Sequence, residues 1–150
     1  AMTQYKQKTT LRQNIQNADR KWFVIDAGGQ TLGKVATMAA DHITGKYRVD
    51  YTPHSDSGEY VVILNAEKIR VSGNKEEAKE YFRHSGYLGH LKREKLKDVR
   101  EKNPTRILEE AISGMMPKNK LRKIQLRRLR LIVGSNNPYE AQKPVTLMQQ

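Results

Sequence analysis

WFVIDAGGQTLGKVATMAADHITG, from Trp22 to Gly45, decides how this chain folds. Its first six residues, Trp22 to Ala27, are an apolar run suited to a buried strand. Gly28 and Gly29 then turn the backbone. Thr31 stands where a helix cap belongs, ahead of Leu32, Val35, Ala36, Ala39 and Ile43. That spacing puts one apolar stripe on a helix, and Gly45 is placed to end it. A polar loop, YTPHSDSGE (Tyr51 to Glu59), leads to YVVIL (Tyr60 to Leu64). This second run is β-branched without polar alternation, the pattern of a strand covered on both faces. Ile69 to Ser72 reads as a third strand, closed by Gly73-Asn74. Strand, helix, strand in this order predicts a parallel βαβ unit with a right-handed crossover.

Outward from this unit the chain is less regular. Residues 1–19 are polar, with Leu11 and Ile15 as the only sizeable aliphatics, and read as an N-terminal arm. They hold no apolar stretch of the kind that makes a secretory signal. Arg83 to Lys95 reads as a Gly-, His- and Tyr-bearing loop running into a charged helix. Asn103-Pro104 is a helix start, with Asn as cap and Pro as first helical residue. Ile107, Leu108, Ala111 and Ile112 form its stripe, and Gly114 can end it. One α/β domain over residues 20–145 accounts for the chain, with a short C-terminal tail over residues 146–150.

Charge supplies the first functional signal. Lys and Arg total 28 against 16 Asp and Glu, a formal net charge of +12. Through Lys75 the count is 11 basic against 7 acidic; beyond it, 17 against 9. No acid occurs between Glu110 and Glu140. Inside that gap lies PKNKLRKIQLRRLRLIVG, Pro117 to Gly134, in which Lys118, Lys120, Arg122, Lys123, Arg127, Arg128 and Arg130 fall within thirteen residues. Without intervening Asp or Glu, none of the i,i+4 pairs that usually neutralise a helix face can form. From Lys118 to Arg127 a helical wheel gathers Leu121, Ile124 and Gln125, with Leu126 the exception. From Arg128 the pattern alternates, Leu129, Leu131 and Val133 against Arg128, Arg130 and Ile132, as in a strand. Leu121, Ile124, Leu129 and Leu131 are expected to pin this segment to the domain. A polyanion is the partner such a surface fits, nucleic acid first and an anionic membrane second. The segment has no Trp or Phe to anchor in a bilayer interface.

Enzyme-like patterns are present and incomplete. GGQTLGK, Gly28 to Lys34, matches the G-x-x-x-x-G-K core of a phosphate-binding loop between strand and helix. The hydroxyl that should follow, to hold magnesium, is replaced by Val35, and YVVIL ends in Asn65 where an Asp would be needed. His54, Asp56 and Ser57 share one short loop, too close in sequence for triad geometry. His84 and His90 lie outside any metal-binding spacing, and the absence of cysteine removes thiolate chemistry. Glu76, Glu77 and Glu80 read as a solvated helix face. Tyr47, Tyr51, Tyr81, Tyr87 and His84 lie among basic residues and could stack on unpaired bases, which favours RNA over DNA.

Four stretches in colinear order carry a family resemblance: RKWFVIDAGGQTLGKVAT, GKYRVDYTPHSDSGEYVVILNAEKIRVSGNK, YFRHSGYLGHLK and REKNPTRILEEAISGMMPKNKL. From about Arg20 to Pro144 the chain resembles the bacterial-type large ribosomal subunit protein thirteen family. It departs in Arg122-Lys123, where the family usually has Gly-Arg, in Met116, where Leu is commoner, and in Ser113, often Lys. The resemblance implies a three-layer α/β/α sandwich around a mostly parallel sheet. It implies no catalytic activity, cofactor or metal. The implied role is structural, in the cytoplasmic ribosome, binding large-subunit rRNA and meeting neighbouring ribosomal proteins during assembly.

Three surfaces are expected to meet that RNA. Lys118, Asn119, Lys120, Arg122, Lys123, Arg127 and Arg128 supply the first. His84 and Tyr87, for stacking or sugar contacts, with Arg83 and Lys92 on phosphate, supply the second. Lys46, Arg48 and His54 supply the third, and Lys75 belongs to a further polar motif of the family.

Overall fold

The computed structural model describes residues 20–147, so the anticipated arm lies outside the described residues. In chain order the elements are β1 (Trp22–Asp26), α1 (Leu32–Thr44), β2 (Tyr60–Leu64), α2 (Lys75–Ala78), β3 (Glu80–His84) and β4 (Leu91–Lys95). There follow α3 (Leu96–Lys102), α4 (Pro104–Met115), α5 (Leu121–Leu126), β5 (Leu129–Leu131) and β6 (Val145–Thr146). Short 3-10 turns occupy Ala66–Lys68 and Glu140–Gln142.

The βαβ unit forms as its pattern predicts. β1 and β2 pair in parallel from Trp22↔Tyr60 to Asp26↔Leu64, with α1 as the crossover. β5 adds in parallel to the far side of β2, and β6 to the far side of β1, giving the order β5-β2-β1-β6. The architecture is therefore the expected α/β one, a parallel sheet flanked by helices. Gly45 ends α1 in the left-handed region at φ 80°, its N–H donating to Asp41 O at 2.9 Å. Thr146 pairs beside Val24, so the sheet takes in the start of the segment read as a tail.

Alternation divides the sheet's two faces. Ile25, Val61, Ile63 and Leu129 turn toward α1 and α4, which contribute Val35, Ala36, Ala39, Ile43, Leu108 and Ile112. Burying each large aliphatic is worth about 1.5–3 kcal/mol, so this face supplies most of the apolar drive. The opposite face presents Trp22, stacked on Tyr60 at 4.3 Å and on Tyr139 at 5.3 Å. A smaller cluster of Leu96, Val99 and Ile107, with Val71 and Tyr81 against it, ties the β3–β4 hairpin to α3 and α4.

Three local expectations are corrected. Ile69 to Ser72 is not a strand: it makes one bridge, Thr31↔Arg70. The slots beside β1 and β2 are filled by β6 and β5, leaving this segment to pass the start of α1. Arg83 to Lys95 is not a loop entering a helix but most of an antiparallel hairpin, and the charged helix begins only at Leu96. Gly114 does not end α4, which runs on to Met115, whereas Thr31 and Asn103 do stand at the N-cap positions anticipated for them, without a side-chain cap bond.

Candidate nucleic-acid interface

The acid-free segment folds as a short helix leading into an edge strand. Lys118 to Lys120 form the approach, where Asn119 Oδ1 accepts the Arg122 N–H at 3.1 Å. α5 is shorter than the Lys118–Arg127 span expected, and it is rolled relative to the wheel. Gln125 is buried and Leu126 packs on the core, whereas Ile124 is 49% exposed and pins nothing. Leu129 and Leu131 do pack inward, as anticipated. Lys118, Lys120, Lys123 and Arg127 are exposed, and none is ion-paired among the described residues. Arg122 is half-buried and reaches Ser113 O at 3.4 Å, so its cation sits at the C-terminal end of α4. That helix has no basic residue of its own in its last turn, which makes the placement favourable. Arg130 donates to Arg127 O at 2.7 Å and to Leu129 O at 3.2 Å.

Arg128 leaves the phosphate-contacting set. It is 5% exposed, and its guanidinium makes a bidentate pair with Asp56, Nη1 donating to Oδ2 at 2.6 Å and Nη2 to Oδ1. Nη2 also donates to Ile43 O at 3.1 Å. Arg20 completes the cluster, donating to Asp56 O at 3.0 Å and to Gly58 O. Burial lowers the Arg20 pKa, reinforced by the neighbouring Arg128 and opposed by Asp56. Strand alternation concealed this, because Arg128 precedes β5 and bends back under α1. Asp56 is accordingly a structural anion, and His54 is exposed while Asp56 and Ser57 are buried.

The loop after α1 is already neutralised in part. Lys46 lies 3.6 Å from Asp41. Arg48 donates to Asp50 at 2.9 and 3.0 Å and lies 3.5 Å from Glu59. The bond to Asp50 raises the Arg48 pKa. Burial raises that of Glu59, against the pull of Lys21 and Arg20. Phosphate contact by Lys46 or Arg48 thus competes with carboxylates in place, while His54 is exposed. Lys75 opens α2 and, with Lys79, Thr31, Ser72 and Met115, lines a cavity of about 300 Å³.

The hairpin gives its residues two sides. Arg83 and Lys92 stand directly opposite one another, next to Tyr81 and Glu94. Tyr81 tucks into the smaller cluster, and Glu94 is held by Arg106 at 2.8 Å and Lys102 at 3.7 Å. The hydrogen bond from Arg106 lowers the Glu94 pKa. The other side carries Phe82 across from Arg93 and His84 across from Leu91. At the tip, Tyr87 is 75% exposed, and His84 Nδ1 accepts the Gly86 N–H at 2.9 Å. Sequence reasoning missed Phe82 and Arg93. The alternation of YFRH against LKREK, bracketing Gly86 and Gly89, was the signal that could have found them.

The nucleotide-loop resemblance dissolves in its hydrogen bonds. The Gly28 N–H donates to Asp26 Oδ1 (2.9 Å), Gly29 to Lys68 O (3.1 Å), Gln30 to Ala27 O (3.1 Å) and Leu32 to Arg70 O (2.9 Å). These four loop amides are spent on the protein itself. Asn65 joins Asp26 at 2.8 Å, and these two bonds, Asn65 first, lower the Asp26 pKa. Among the described residues no group of three or more His, Asp or Glu could hold a metal ion. No helix among them is long and apolar enough to cross a membrane.

Comparison with known proteins places the chain in a family. The family described as Ribosomal protein L13 matches residues 20–138. A large ribosomal subunit protein uL13 of a Nitratiruptor species is 51% identical over 124 residues, covering 83% of this chain and 88% of its own length. The protein of that name from Gloeothece citriformis is 45% identical over 141 residues, covering 94% and 93%. That from Methylococcus capsulatus is 44% identical over 128 residues, covering 85% and 90%. With its fold and its disarmed phosphate loop accounted for, the chain belongs to the ribosomal protein L13 family.

Proposed function

We propose that this chain is a structural, non-enzymatic constituent of the large ribosomal subunit that binds large-subunit rRNA and supports subunit assembly and translation. Its partners are that RNA and neighbouring ribosomal proteins, and its place is the ribosome. One observation carries the reading: Lys118, Lys120, Lys123 and Arg127 are exposed without ion pairs among the described residues, on a segment anchored by Leu126, Leu129 and Leu131. Charge held this way arrives preorganised, so binding orders fewer side chains and less backbone. Arg83 and Lys92 on the hairpin, Lys75, and the loop residues Lys46 and His54 extend the surface.

Each neutralised phosphate contributes about −0.7 to −0.9 to the slope of log K against log salt. Replacing Lys118, Lys120, Lys123 and Arg127 by Gln therefore flattens the slope for an rRNA fragment by about 3. An unchanged slope in a folded variant removes this segment from the interface. A nucleic-acid factor acting off the ribosome is separated by sucrose-gradient sedimentation of a tagged copy, which should travel with large subunits.

A further inference from the structure

We propose that the outward side of the β3–β4 hairpin is a stacking platform for unpaired nucleobases, built on Phe82 and Arg93. The inference rests on the reading that the partner is RNA, and assigns it a second kind of contact.

Phe82 is 61% exposed in the middle of a paired strand, while its neighbour Tyr81 is turned into the domain. The Arg93 guanidinium lies 5.7 Å from the Phe82 ring centroid, held there by the Phe82↔Arg93 pairing. A ring and a guanidinium side by side offer a base a flat apolar surface next to a charge that can meet its phosphate. His84 follows two residues along the same side, so a strand of RNA running along β3 meets two rings in succession. Tyr87, edge-on to His90 at 6.1 Å, stands at the tip, beyond His84.

Charge selects the occupant. Arg83, Lys92 and Arg93 are exposed, with no ion pair among the described residues; the nearby Glu94 is held by Arg106 and Lys102, and Arg83 acts on it only from farther away. A protein neighbour fitting the apolar side chains alone would leave these cations unmatched, whereas a nucleic acid uses both. Stacking further requires bases free of a duplex, since paired bases hide their faces.

The test uses the full chain with a short RNA single strand carrying a fluorescent adenine analogue, and a blunt duplex of the same sequence. Binding of the single strand should quench the fluorophore. Phe82→Ala should weaken that binding by about 5- to 150-fold with the salt slope unchanged, and leave duplex binding as it was. Phe82→Trp should restore it. Arg93→Gln should weaken binding and also reduce the slope by about 0.7. Single-strand binding by Phe82→Ala indistinguishable from the parent would overturn the platform and assign the exposed ring to a protein neighbour. Lys120→Gln with Lys123→Gln, by contrast, should weaken both RNAs alike. If that pair has no effect while Phe82→Ala does, the basic-segment reading fails and the platform stands.

Discussion

Breaking the buried pair between Asp56 and Arg128 should be among the most damaging single changes in this fold. In Asp56→Asn the side chain keeps its shape but loses its charge and turns one of its two acceptor oxygens into a donor, leaving the Arg128 guanidinium a single amide oxygen and Ile43 O, with no anion. Both side chains are under a tenth exposed, 9% and 7%, so water cannot replace the missing anion. Removing one partner of such a pair costs about 3–5 kcal/mol, most of it from the charge left behind. Against a total stability of about 5–15 kcal/mol, that is a large share. At roughly 2–4 °C per kcal/mol for a chain of this size, Tm should fall by about 6–20 °C. Urea denaturation at neutral pH measures it directly, with the m-value checked for constancy. Asp56→Leu combined with Arg128→Met removes both members of the pair and should recover part of the loss, the remainder being Arg20, which also lies 3.4 Å from the Asp56 carboxylate and keeps only backbone carbonyls. A single-mutant cost below about 1 kcal/mol, the value of a solvated surface pair, would refute the reasoning. So would a double mutant as unstable as the single one.

Gly58→Ala should cost about 3 kcal/mol or more, because its new Cβ would lie 1.7 Å from Ile43 O, a backbone atom that no rotamer change can move. Gly33→Ala, in the first turn of α1 with nothing within 4 Å, should instead stabilise by up to about 1 kcal/mol; thermal melts of the two variants give opposite signs. His42 packs between Phe23 (4.6 Å) and Tyr47 (4.2 Å), and burial lowers its pKa below 6.5, against the pull of Asp41. The unfolded chain therefore takes the proton first, so stability is full above pH 6.5 and declines as pH falls toward the folded-state value. His42→Gln should flatten that decline in urea midpoints taken at successive pH values.

Regular, apolar elements were legible because their side-chain period alone states the answer. Trp22 to Ala27, the stripe of α1 and the β-branched run of β2 could hardly be arranged otherwise. Placement was harder. Ile69 to Ser72 has a strand's composition, but whether it joins the sheet depends on β5 and β6, which arrive much later in the chain. In the hairpin the alternation is hidden under charge, since neither side is buried deeply enough to demand an apolar row. The candidate site divides the same way. Density of charge marked Lys118 to Arg130, but not which cations remain available. Arg128 and Asp56 lie 72 positions apart, and no local pattern announces their pairing. Arg122 shows a milder form of this, its charge being spent partly on the end of α4.

The position of β5 has a consequence for the protein on its own. Among the described residues it is an edge strand, and an edge is a template on which another copy could add its own backbone. Here the strand is only three residues long, and Arg130 folds its guanidinium over the carbonyls of Arg127 and Leu129. A second copy approaching this edge would meet like charge and occupied acceptors. Arg130 thus blunts an edge that would otherwise invite another backbone.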